Sequence, residues 1–175
     1  MAEVWEDRCR GQWVSIQADQ WFSDMLQISC RLIYMPDTTH RRVDGRYASN
    51  KEIVSFADGY PLLLIGQASL DDLNQRLPSP VPMNRFRPNM VFTGGTPYQE
   101  DEFKQFKLAG ISFFGVKRCA RCVITTIDQD TIARSKEPLR TLNEYRKENN
   151  KIYFGQNLLF QGTGLISIGD PITLY

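Results

Sequence analysis

Apolar residues at helical spacing first appear in ADQWFSDMLQI (18–28), where Phe22, Met25 and Leu26 share one face. With Asp19 as N-cap, the pattern predicts a short amphipathic helix. RLIYM (31–35) reads as a strand. Pro36 to Ser55 is polar, carries Arg41, Arg42 and Arg46 and has no sustained periodicity, so a long exposed loop is expected. After the apolar strand PLLLI (61–65), SLDDLNQRL (69–77) gives the clearest helix. Ser69 and Asp72 are spaced as a capping box, and Leu70, Leu73 and Leu77 fall on one face. Pro78, Pro80 and Pro82 then stop the helix and hold the chain extended.

From Asn89 onward short strand patterns dominate: NMVFT (89–93), FKQFKL (103–108), ISFFGVK (111–117) and VITTID (123–128). A third helix is expected from Pro138, with Leu139 and Leu142 inward. LISI (165–168) and PITLY (171–175) read as strands flanking a turn at Gly169 and Asp170. Many closely spaced strands with few helices predict a mainly β fold, an antiparallel β-barrel with peripheral helices.

The 175 residues suffice for one sizeable core, and a 42% hydrophobic composition fits a folded chain. A net charge of +1 supplies no overall field for nucleic acid or an anionic membrane, so any anion site must be local. With no apolar run near the roughly 20 residues of a membrane helix, and a polar start, a cytoplasmic protein is expected.

Cysteine brings in the chemistry. In RCARCV (118–123), Cys119 and Cys122 lie beside Arg118 and Arg121, and guanidinium charge favours thiolate, the form that attacks sulfur or binds a soft metal. Three readings compete. A zinc site lacks a second ligand pair, since only Cys9, Cys30 and the single His40 remain as His or Cys ligands. A thioredoxin-type pair needs a helix after its first Cys, where this chain has β-branched residues. The third reading is a pair of structural thiols.

In NRFRPN (84–89), strand alternation places Arg85 and Arg87 on one side, a candidate clamp for phosphate or carboxylate. FGQN (154–157) reads as a turn from which Asn157 can reach a ligand. Glu100, Asp101 and Glu102 read as a solvated loop, and the lone His40 supplies no catalytic triad.

Taken in order, ASLDDLN (68–74), RFRPN (85–89), YQED (98–101), RCARCVITTID (118–128), EPLRTLNEYR (137–146), FGQN (154–157) and ISIGD (166–170) resemble the MOSC domain. This module occurs in molybdenum-cofactor sulfurases and in the mitochondrial amidoxime-reducing component and its bacterial relatives. The resemblance implies a β-barrel that binds the molybdenum cofactor, a pterin dithiolene carrying a phosphate. It makes Cys122 the metal ligand and catalytic residue, and Arg85, Arg87, Asn89, Ala120, Arg121 and Asn157 the cofactor-binding set. Ala120 stands where the family usually has a small or hydroxylated residue, leaving that position its backbone contacts.

The resemblance further divides the chain. Residues 54–175 correspond to the MOSC core, and residues 1–53 to a remnant of the N-terminal barrel, VWEDRCRG, plus a helix, a strand and a polar loop. The activity it implies is reduction of N-hydroxylated or N-oxide small molecules, with electrons from a separate protein. Persulfide-type sulfur transfer through Cys122 or Cys119 is the alternative enzyme reading, and a non-catalytic cofactor carrier is the other.

Overall fold

The computed structural model describes residues 1–48 and 50–175; Ser49, inside the stretch read as a loop, lies outside the described residues. Contacts divide the chain into two units, Met1–Pro61 and Leu62–Tyr175.

In the first unit β1 (Ala2–Val4) pairs antiparallel with β2 (Asp7–Cys9). β3 (Gln12–Trp13) and β4 (Ile33–Tyr34) pair around α1 (Ile16–Leu26). Ser15 caps α1, its Oγ accepting from Ala18 N at 3.1 Å. Asp19, expected as the cap, instead ties the flanking segments together: Oδ2 accepts from Trp13 Nε1 and Oδ1 from Leu32 N, both at 2.8 Å. Arg41, expected on an exposed loop, is only 4% exposed and donates to Asp7 Oδ2 and to the carbonyls of Ser55, Ala57 and Asp58. One many-donor guanidinium thus organises a segment that has no hydrophobic period.

In the second unit, β5 (Leu62–Gly66) leads into α2 (Gln67–Arg76), and β6 (Met90–Phe92) follows. Next come β7 (Gln105–Leu108), β8 (Ile111–Ala120), α3 (Leu139–Tyr145), β9 (Lys147–Glu148), β10 (Lys151–Gln161) and β11 (Thr173–Leu174). The curled half-barrel sheet runs β11-β7-β8-β10-β5-β6, with β9 paired to the start of β10. All its pairings are antiparallel except β5 with β6. Alternation along β5 sends Ile65 into one core with Leu70, Leu73, Leu142 and Phe154, and Leu64 into another with Phe103, Phe106, Phe113 and Leu158.

β10 is the main departure from the sequence pattern, because the FGQN segment read as a turn lies in the middle of this 11-residue strand. Gly155 adopts φ 86° at a register shift against β8, and an added Cβ would lie 2.7 Å from Ile65 Cγ1. The extra residue switches the strand's faces, so Phe154 and Leu158, although an even number of positions apart, enter different cores.

VITTID also differs: Val123–Thr126 is a 3₁₀ turn, because the Thr125 and Thr126 hydroxyls bond back to the carbonyls of Cys122 and Val123. LISI forms no strand, and its Leu165 and Ile168 are exposed. The acids read as solvated form a 3₁₀ turn, Gln99–Glu102, with Glu100 fully buried. Glu100 accepts from Gly66 N and Ser69 Oγ, so Ser69 anchors a buried carboxylate rather than capping α2. Burial pushes the Glu100 carboxyl up from its ordinary value.

Candidate functional site

The RFRPN segment enters the site as a turn rather than a strand. Met83–Phe86 is a 3₁₀ turn and Arg87, at φ 53°, closes it in the left-handed region. Burial of Phe86, stacked on Phe154 with centroids 4.2 Å apart, fixes this geometry. Arg85 and Arg87 consequently do not share a side: Arg85 is buried and Arg87 exposed.

Arg85 crosses to the cysteine segment. Its Nη1 donates to Thr125 O at 3.2 Å and its Nη2 to Asp128 Oδ2 at 3.1 Å. Arg121 makes the reverse crossing, donating from Nη2 to Phe86 O at 2.7 Å, with its guanidinium 5.5 Å from the Phe86 ring centroid. Its Nη1 donates to Cys119 Sγ at 3.0 Å. Two arginines therefore stitch the turn at 83–86 to the turn at 123–126 from opposite ends. Both Nε atoms are buried without a hydrogen-bond partner.

Cys119 and Ala120 end β8, with Ala120 opposite Tyr153 in β10, and Arg121 N donates to Ile152 O at 2.7 Å. Cys122 caps the 3₁₀ turn and is exposed, and all four cysteines are thiols. Arg118 is engaged away from the thiols, paired with Glu148 and set 4.5 Å from the Tyr153 ring centroid. Among the described residues no group of three or more His, Cys, Asp or Glu side chains is gathered for a metal ion.

Asn89 and Asn157 meet at Leu63. Asn89 accepts from Leu63 N at 2.9 Å through Oδ1 and donates from its backbone N to Leu63 O at 3.0 Å. Asn157 lies opposite Leu63 in the β10–β5 register. The structure thus brings Arg85, Arg87, Ala120, Arg121 and Cys122 to the turns beside the start of β10, with Asn89 two residues beyond Arg87 and Asn157 three residues along the strand from Phe154. Thr125 and Asp128, which sequence reasoning missed, hold the Arg85 end of this arrangement. The readable signal was Asp128 followed by Thr131, an Asx-type turn in which Oδ1 accepts from Thr131 N and Oγ1. Those bonds, Thr131 first, hold the Asp128 carboxyl below its ordinary value.

The model of the MOSC domain matches residues 51–173, across the whole of this cluster. The chain belongs to the MOSC domain family. It is 35% identical to mouse mitochondrial amidoxime-reducing component 1 over 95% of this chain and 55% of that protein, and 38% identical to the human one over 89% and 50%. It is also 32% identical to the molybdenum cofactor sulfurase of japonica rice over 87% of this chain and 21% of that protein. The chain spans about half the length of the amidoxime-reducing relatives it matches. Among the described residues no helix is long and apolar enough to cross a membrane.

Proposed function

We propose that this MOSC chain binds the molybdenum cofactor and forms part of a reductase of N-hydroxylated or N-oxide small molecules, with Cys122 as the metal's protein ligand. One observation carries the reading: crossed arginines hold the turn presenting an exposed Cys122 thiol against the turn presenting an exposed Arg87. The donor set suits a metal that arrives with dithiolene sulfur, because such a metal asks the protein for one soft thiolate rather than a cage. Two buried guanidinium Nε atoms without acceptors also suit an anionic group nearby.

When bound, the cofactor supplies the redox chemistry that removes oxygen from nitrogen. The chain's own residues orient and retain it. Arg87 and Arg121 supply positive charge toward the pterin and its phosphate, and Arg85 belongs to the same cluster through its unpartnered Nε. Asn89 has its amide Nδ2 left to donate once Oδ1 is committed to Leu63. Ala120 contributes through its backbone, and Asn157 from β10. Electrons come from a separate electron-transfer protein.

Arg121 on Cys119 favours a second reading, a persulfide-type sulfur carrier, because its Nη1 donates to the Cys119 sulfur at 3.0 Å and so gives the second thiol of the pair a cationic partner of its own. Elemental analysis with mass spectrometry of the purified chain separates the two. Molybdenum with a pterin supports the first, and a gain of one sulfur on Cys119 or Cys122 without metal supports the second.

A further inference from the structure

We infer that the ion pair between Arg85 and Asp128 is a positioning device that sets the turn presenting Cys122 against the turn presenting Arg87. The inference rests on the reading of Cys122 as the molybdenum ligand and deepens it. The contacts form an unbroken path. Cys122 O accepts from both Thr125 N and Thr125 Oγ1, at 3.2 and 3.0 Å. Thr125 is only 1% exposed, and its carbonyl accepts from Arg85 Nη1. Asp128 divides its carboxylate, accepting from Arg85 on Oδ2 and from Asp130 N, Thr131 N and Thr131 Oγ1 on Oδ1, so the bond to Arg85 is held by the turn that follows Val123–Thr126.

Arg85 is thus the only described side chain of the 83–86 turn seen donating to both Thr125 and Asp128, and it springs two residues before Arg87. Cys122 itself makes no side-chain hydrogen bond within this path, so its place depends on the backbone that Thr125 fixes. Lysine cannot replace Arg85, because one ammonium on a flexible stem lacks the planar fork that reaches a carbonyl and a carboxylate together. The pair's carboxylate side chain is 26% exposed, so its contribution is geometric more than energetic.

The test is hydrogen exchange followed by mass spectrometry on the chain without cofactor, comparing Asp128→Asn, Arg85→Lys and the conservative Asp128→Glu. Exchange of the Thr125 and Ile127 amides should accelerate about tenfold in the first two, with the β10 amides protected as in the wild type and partial recovery in Asp128→Glu. Cys122 alkylation by iodoacetamide, read from its peptide, should shift in the same variants. Should Asp128→Asn fail to fold because Arg85 is left buried and unpaired, the double variant Arg85→Met with Asp128→Asn removes both charges and decides the matter.

The double variant should fold and show the same local acceleration. Wild-type exchange at 122–127, acceleration spread evenly through β10, or failure of the double variant to fold would each overturn the inference. Retention of molybdenum by Cys122→Ser would remove the ligand reading while leaving the exchange result standing, so the two failures are distinguishable.

Discussion

Arg121 Nη1 donates to Cys119 Sγ at 3.0 Å, so the thiol that holds the guanidinium and the thiol we propose as the molybdenum ligand are different residues. The same guanidinium donates to Phe86 O, and Cys119 therefore helps to aim a cation across the site. Cys119→Ser keeps an acceptor at that position and should lower reductase turnover by no more than about threefold, whereas Cys119→Val removes the acceptor and should cost more. Cys122→Ser should abolish turnover, since a neutral hydroxyl replaces a soft thiolate poorly. Steady-state amidoxime reduction, assayed with an electron-transfer partner, ranks the three; equal loss in Cys119→Ser and Cys122→Ser would favour the persulfide reading.

Asn89 separates fold from binding. Its Oδ1 accepts from Leu63 N, a bond that aspartate reproduces, while its amide is the group left for a ligand. Asn89→Asp should melt close to the wild type yet lose pterin content, measured by fluorescence of the extracted, oxidised pterin. Asn89→Ala should lose both, with a stability cost of about 1–2 kcal/mol in urea unfolding. A stable Asn89→Asp that retains wild-type pterin would remove Asn89 from the cofactor set.

How legible the site was in the sequence differs residue by residue. Leu70, Leu73 and Leu77 announced α2 because a helix that buries one face must repeat its apolar residues. The strand at 61–65 was readable from a different signal, an unbroken apolar run, because its two faces enter two cores, Leu64 in one and Ile65 in the other. β10 was not, because Gly155, Gln156 and Asn157 interrupt its apolar pattern, and Gln156 is buried at 3% exposure inside the sheet. Alternation misplaced Arg85 because Phe86, packed on Phe154, draws the segment into a turn, a tertiary contact that local spacing does not encode. Cys122 and Arg121 were legible as chemistry from thiols beside guanidinium groups, but their alignment with Arg87 depends on Phe86 O and Thr125 O, backbone atoms without a sequence signature.

Gly155 tests the strand bulge. Alanine there meets both a left-handed φ and Ile65 Cγ1 at 2.7 Å, so Gly155→Ala should destabilise the chain by about 3 kcal/mol in a urea titration. An unchanged midpoint would show that the bulge relaxes without cost.

Glu100 gives a pH signature. Its carboxyl is raised, first by burial, so the folded chain keeps that proton at a pH where the unfolded chain has released it. Stability should therefore fall as pH rises from the ordinary value of 4.5 through the raised folded value, and Glu100→Gln should flatten that slope. Asp72, held low first by Arg76, and Asp128, held low first by Thr131, act in a lower window: their stabilisation is lost as pH falls from 3.8 through their lowered values. Urea midpoints measured across pH for wild type and Glu100→Gln check the sign; parallel curves above 4.5 would contradict it.

The most direct test of Cys122 as the metal's ligand is molybdenum K-edge X-ray absorption on the chain purified from a host that makes the cofactor, compared with Cys122→Ser. The expected result is molybdenum bound to the wild type, with one sulfur neighbour fewer, or the metal lost, in Cys122→Ser. An unchanged sulfur shell and unchanged molybdenum content in a folded Cys122→Ser would contradict the assignment.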